Sequence, residues 1–151
     1  MKFILLDTGP LGVYTNPKPS PQKQQVEEKI EEWESKGYLL VVPEIADFEV
    51  RRELLRSQKV GGLKSLDAVG ERFIYLPLTT EAMRLAAQLW AEARQQGQPT
   101  AAPFELDGDV ILSAQAQALG RMGSEVEVIV ATFNTRHISR YITAMQPVDI
   151  T

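Results

Sequence analysis

Short apolar runs separated by helical-period segments predict an α/β fold, with a mostly parallel central sheet flanked by helices on both faces. Three observations carry this reading. The apolar runs, near residues 2–7, 38–42, 73–78 and 126–131, have strand length and are bounded by turn formers. The segments between them repeat apolar residues at helical spacing. Successive strands joined through helices pair in parallel.

Each element has its own signal. Residues 2–7 form the first strand, followed by a short helical piece around Leu11 to Tyr14 and a loop with Pro17, Pro19 and Pro21. Pro21 suits the first turn of a helix to about Ser35, with Val26, Ile30 and Trp33 inward and Gly37 as its stop. Residues 38–42 are the second strand. Pro43 opens a helix in which Ile45, Phe48 and Leu55 face inward, and Gly61-Gly62 marks a break before a shorter helix to about Val69. Residues 73–78 give the third strand. Thr79 or Thr80 caps a long helix carrying Met83, Ala86, Ala87, Trp90 and Ala93 up to Gly97. A loop over 98–103 follows. Asp107 or Asp109 caps a helix carrying Ile111, Leu112, Gln115, Ala118 and Leu119, and residues 126–131 form the last strand.

Composition narrows the chemistry. With 151 residues and 44% hydrophobic content, one domain over 1–151 is expected, burying roughly 70% of its unfolded surface. The absence of cysteine excludes disulfides, thiolate metal sites and a cysteine nucleophile, so a metal would have to be held by oxygen or by the only histidine, His137. A net charge of −4 argues against a nucleic-acid binder that works through a broad basic surface. The six-residue segment ending at Asp7 is too short for a signal peptide or membrane span, which makes a cytoplasmic location the expectation.

The polar residues sit where chemistry is easiest to build. Asp7 ends the first strand, Glu49 lies one turn into the helix after Pro43, Asp109 lies in the first turn of a later helix, and Thr132 and Asn134 follow the last strand. In an open parallel sheet, ligands collect outside the carboxyl ends of the strands, so these segments converge at one edge. Carboxylates held ~4 Å apart repel by about 4 kcal/mol per pair at an effective dielectric near 20. Such a cluster therefore calls for protonation, basic partners or cations, and Mg2+ or Mn2+, which favour oxygen ligands, are the natural cations.

Four segments, taken in series, resemble the PIN-domain family, especially its VapC-like toxins. Leu5-Leu6-Asp7-Thr8-Gly9-Pro10-Leu11 resembles the family's opening strand and first acidic ligand. The segment from Val42 to Leu54 is similar to its second block, with Glu49 rather than Glu44 at the helix glutamate. Asp107-Gly108-Asp109-Val110-Ile111-Leu112-Ser113-Ala114 resembles the third acidic block, with Asp109 at the metal position, and Ala131-Thr132-Phe133-Asn134-Thr135-Arg136-His137-Ile138 resembles the closing motif. The resemblance implies a PIN-like α/β/α sandwich in which Asp7, Glu49 and Asp109 hold Mg2+ or Mn2+ for endoribonuclease cleavage of RNA, while Thr132 and Asn134 orient water or substrate. It further implies an antitoxin whose C-terminal peptide crosses the active-site groove, and a homodimer. His137 departs from the pattern, standing where many of these toxins carry an aspartate.

Every one of these residues also has a purely structural use. Asp7 can accept turn amides, Glu49 can pair with Arg52, and Asp107 or Asp109 can cap a helix, Asp107 being the better placed. Thr132 and Asn134 are ordinary turn formers, and His137 beside Arg136 suits a surface. Arg51, Arg52, Arg56, Arg136 and Arg140 are candidates to flank the pocket and hold phosphates. Two other classes compete. A haloacid-dehalogenase-type phosphohydrolase needs a second aspartate at position 9, which is Gly. A non-catalytic PIN-like interaction module with a degenerate metal site is the stronger rival.

Overall fold

The computed structural model describes residues 1–97 and 107–151, so the loop expected over 98–103 lies outside the described residues. The elements run β1 (Lys2–Leu6), α1 (Thr8–Thr15), α2 (Pro21–Ser35), β2 (Leu39–Pro43), α3 (Glu44–Arg56), α4 (Val60–Arg72), β3 (Ile74–Leu76), α5 (Thr80–Gln95), α6 (Gly108–Gly120), β4 (Glu127–Ala131), α7 (Thr135–Ile138) and β5 (Ala144–Met145). Among the described residues the five strands form one sheet in the order β3-β2-β1-β4-β5, and every pairing is parallel. The predicted α/β sandwich is therefore the observed one.

The run Ile4-Leu5-Leu6 explains why β1 lies at the centre. All three side chains are fully buried, and alternation sends Ile4 and Leu6 to one face and Leu5 to the other. On the first face they join Leu11, Val26, Ile30, Trp33 and Leu66 from α1, α2 and α4. Leu5 joins Ala86, Leu89, Ile111 and Leu112 from α5 and α6 on the second. A strand covered on both sides has no place for a polar residue until it ends, and β1 ends at Asp7. Gln115 of α6, buried, donates its amide to the Leu76 carbonyl at 2.9 Å and accepts from the Ile45 N–H at 3.4 Å. It ties the helix carrying Asp109 to the start of the helix carrying Glu49.

Several expectations need correction. The first helix begins directly after Asp7 rather than near Leu11, because Asp7 caps it. In α3, Ile45 is buried, but Phe48 and Leu55 are 45% and 58% exposed; the packed face is set by Ala46 and Val50 instead. The break before α4 falls at Gln58, which takes a positive φ of 57°, while Gly61 and Gly62 lie inside α4. Gly62 is there for closeness: a Cβ at that position would stand 2.8 Å from a Leu54 methyl. At 13 residues, α4 is as long as α3. In α5 the buried stripe is Ala82, Ala86, Leu89 and Ala93, leaving Met83 and Ala87 exposed. β3 is only 3 residues long, and α7 and β5 carried too few residues for a periodic signal.

Candidate active site

Parallel strands put all their carboxyl ends on one edge, and the chain moves from β1 to one side through β2 and reaches the other side at β4. The crevice beyond β1 and β4 is thus the switch point of the sheet. Leu6 pairs with Ala131 and the Asp7 N–H donates to the Ala131 carbonyl at 3.0 Å. That register sets Asp7 beside Thr132.

Asp7 is fixed at both oxygens. Oδ1 accepts the Thr8 N–H at 2.7 Å as the cap of α1, and Oδ2 accepts the Thr132 hydroxyl at 2.7 Å. Thr132, fully buried, also accepts the Asn134 N–H at 3.0 Å. Thr8 reaches in the other direction, its hydroxyl donating to Glu49 Oε1 at 2.9 Å, so one residue joins the first carboxylate to the second. Glu49 lies over the start of α6, where a Cβ on Gly108 would stand 2.7 Å from Glu49 Oε2. A side chain there would make that carboxylate move. Asp107 caps α6 by accepting the Val110 N–H at 3.2 Å, and Asp109 in the first turn lies 3.2 Å, through Oδ2, from His137 Nδ1.

Three carboxylates from β1, α3 and α6 consequently share a field. Burial is the main cause that raises the pKa of Asp7, Glu49 and Asp109 above the ordinary range. Asp109 adds to the rise at Asp7, and both aspartates add to it at Glu49. Hydrogen bonds from Thr132 and Thr8 pull the first two back down, and His137 does so for Asp109. Basic relief is sparse. The Arg52 guanidinium is 3.7 Å from Glu49, and Arg140 acts on Asp109. Arg51 is committed to Asp47 and Asp67, and Arg56 to Glu53, away from the site.

The donor set is hard oxygen with excess negative charge, the chemistry that suits Mg2+ or Mn2+. Among the described residues, however, no group of three or more Asp, Glu or His side chains is set to hold one ion. An ion at this edge would therefore have only one or two carboxylates as ligands and would have to keep most of its waters. Asn134 is exposed and makes its hydrogen bonds here through its backbone; its side chain does not cap α7. Glu44 and Asp47, also acidic and on α3, serve structure: Glu44 accepts the Leu78 N–H at 2.7 Å, and Asp47 accepts the Tyr75 hydroxyl at 2.6 Å.

Sequence reasoning passed over Thr8 and Gly108. Thr8 was legible only as the residue after a strand-ending aspartate, and Gly108 only as a residue without a Cβ between two aspartates. A groove of about 860 Å³ runs away from the site between α1, α3 and α4, with Thr8, Glu49 and Arg52 at one end and Val60 to Gly62 at the other.

No protein-family model matches the sequence, and no curated protein does either. Solved structures do match the fold. A chain of VapBC2 from Rickettsia felis, in a crystal structure with a DNA fragment from the promoter, superposes with a TM-score of 0.71 at 15% identity over 95% of this chain and 98% of its own. A chain of VapBC-1 from nontypeable Haemophilus influenzae gives 0.71 at 16% identity over 97% and 99%, and one from DNA-bound VapBC of Salmonella typhimurium gives 0.65 at 20% identity over 97% and 99%. The fold is PIN-like. At these identities the likeness speaks for the architecture, and a PIN-like sheet is one whose switch point here holds Asp7 and Thr132, with Glu49 and Asp109 beside it. Among the described residues, no helix is long and apolar enough to cross a membrane.

Proposed function

We propose that this chain is a divalent-metal-dependent endoribonuclease, the toxin half of a toxin–antitoxin pair acting in the cytoplasm. The observation that carries the reading is the gathering of Asp7, Glu49 and Asp109 from three distant segments at the switch point, each with its pKa raised by burial. The VapBC chains that share the fold support the toxin assignment. Asp7, Glu49 and Asp109 would supply the carboxylates, one or two to an ion, that hold Mg2+ or Mn2+, which when bound supplies positive charge to the phosphoryl oxygens and lowers the pKa of water.

The chain's own residues do the rest. Thr132 and Thr8 keep two carboxylates oriented by donating to them. Arg52, 56% exposed beside Glu49, is placed to take a phosphate. Asn134, at the open rim, is the residue to orient water or substrate through its free amide. The groove between α1, α3 and α4 offers an antitoxin segment a path to Glu49, and exposed Phe48 and Leu55 offer apolar surface to a second copy.

The rival is a PIN-like interaction module without catalysis, and the specific observation in its favour is that, among the described residues, no three acidic or imidazole side chains stand ready to hold one ion. One experiment separates the two. Structured RNAs are incubated with purified protein and Mn2+ or Mg2+, with Asp7→Asn and Asp109→Asn alongside. Cleavage by wild type alone is expected; equal cleavage by all three, or none by any, defeats the enzyme reading.

A further inference from the structure

The Thr132 hydroxyl has one hydrogen to donate and two acceptors within reach. Asp7 Oδ2 stands at 2.7 Å and the Asn134 carbonyl at 3.3 Å. Which of them receives the hydrogen depends on the turn over 132–134, which leaves β4 after Ala131 and enters α7 at Asn134 without a side-chain cap. The last strand grips this turn at two successive residues. The Thr132 N–H donates to the Met145 carbonyl at 3.0 Å, and the Gln146 side-chain amide donates to the Phe133 carbonyl at 2.8 Å. Phe133 in turn lies on the first turn of α1, its ring 2.8 Å from where a Cβ on Gly9 would stand. The grip has a firm base, because Pro147 and Ile150 are buried and the Ile150 carbonyl accepts the Trp33 indole N–H at 3.2 Å.

We propose that Gln146 is a positioning residue of the acidic edge: by holding the Phe133 carbonyl it fixes the turn in the form that keeps the Asn134 carbonyl back and gives the Thr132 hydrogen to Asp7. It does so from outside the groove. Gln146 lines a crevice of about 170 Å³ against α2, together with Gln22, Gln25 and Phe133, whereas the groove leading to Glu49 lies between α1, α3 and α4. The Phe133 carbonyl is partly buried with this amide, and an acceptor shut off from water is unfavourable when left bare. Without the amide the turn relaxes, the Asn134 carbonyl competes for the hydroxyl, and Asp7 loses the bond that fixes one of its two oxygens. The kinetic consequence rests on the reading of this edge as the site of RNA cleavage; the placement of the turn rests on geometry alone.

Two variants test it. Gln146→Ala removes the amide, and Gln146→Glu keeps its length but, as a carboxylate, cannot donate, so a folding defect in one leaves the other. Amide exchange followed by NMR reads the turn without any catalysis. The Asn134 N–H, which donates to Thr132 Oγ1 at 3.0 Å, should exchange about fivefold faster in both variants, the scale of one neutral hydrogen bond. The Asp7 N–H, bonded to the Ala131 carbonyl, should keep its wild-type rate. Unchanged exchange at Asn134, or equal acceleration at both amides, overturns the proposal. In RNA cleavage, kcat should fall by about ten- to a hundredfold with KM unchanged, the range of a small misplacement. In a Thr132→Val background, Gln146→Ala should lower kcat no further, because it acts through that hydroxyl; losses that multiply in the double variant overturn the route through Thr132. A wild type that cleaves no RNA ends the ribonuclease reading, and the exchange rates then still decide whether Gln146 holds the turn.

Discussion

Glu32 on α2 and the carboxylates at the sheet edge are built from the same chemical group and are treated in opposite ways. Glu32 stands at the surface between Lys29 and Lys36, each donating to it at 2.8 Å and 2.7 Å. Those hydrogen bonds draw its pKa down to about 2. Asp7, Glu49 and Asp109 are partly buried and gathered with one another, and burial pushes all three up. The lysines around Glu32 follow from i,i+3 and i,i+4 spacing on one helix, a local device for solubility and modest helix support. The edge cluster needs three distant segments and gives no stabilisation of its own. Like charges retained where water is partly excluded oppose folding, and perturbed carboxylates of this kind are candidates for a functional site, here the proposed cation site.

The sharpest way to break the contrast is to remove one edge charge and measure chemistry. Asp7→Asn or Asp109→Asn should lower RNA cleavage by about a hundredfold or more, the scale on which one preorganised charge-stabilising group is lost, while Glu32→Gln leaves cleavage unchanged. Ion binding comes next. Mn2+ at about 100 times its Kd should add about 2.7 kcal/mol to wild type, a rise in Tm of about 5–10 °C for a chain of this size, and Asp7→Asn should abolish the rise; an equal shift in both would place the ion elsewhere. Gly108→Ala probes the close approach itself. The new Cβ displaces the Glu49 carboxylate, so cleavage should fall about tenfold or more, although alanine favours the helix by about 0.8–1.0 kcal/mol; unchanged cleavage would remove Glu49 from the site.

The smallest effect is in pH. A carboxyl whose folded pKa exceeds its unfolded value stabilises the fold most when protonated, so its contribution is lost as pH rises through the folded value. For the ion-free protein, the edge cluster therefore makes stability decline above the ordinary values of 3.8 for aspartate and 4.5 for glutamate. Glu32 has the opposite sign: its contribution is present above 4.5 and lost as pH falls toward about 2. Glu49→Gln, which keeps an acceptor for Thr8, should raise Tm in chelator at neutral pH by about 2–4 °C, the shift that about 1 kcal/mol gives, and flatten the decline; a lower Tm would show that Glu49 is stabilising as a charge.

The parts of the fold legible in the sequence are those with local causes. A fully apolar run that stops at an aspartate, a proline at a helix start, and a threonine or aspartate at a cap each act within a few residues, and β1, α2, α5 and α6 follow them. Asp7, Glu49 and Asp109 were legible as candidates because each stands at the edge of such an element. Phe48 and Leu55 show where this stops working. They are apolar at plausible inward positions, yet α1 and α4 pack on the face set by Ala46 and Val50, α6 packs on the side of Ile45, and both are left exposed.

The sequence by itself determined that strands and helices alternate and that acidic residues end several of them, since apolar periodicity and capping are properties of neighbours along the chain. Only the tertiary structure decided that β4 pairs with β1 in the register that hands the Thr132 hydroxyl to Asp7, that Gly108 clears space for Glu49, and that the lone histidine faces Asp109. These contacts join residues far apart in sequence, so their geometry is set by how whole layers pack and cannot be read from any one segment.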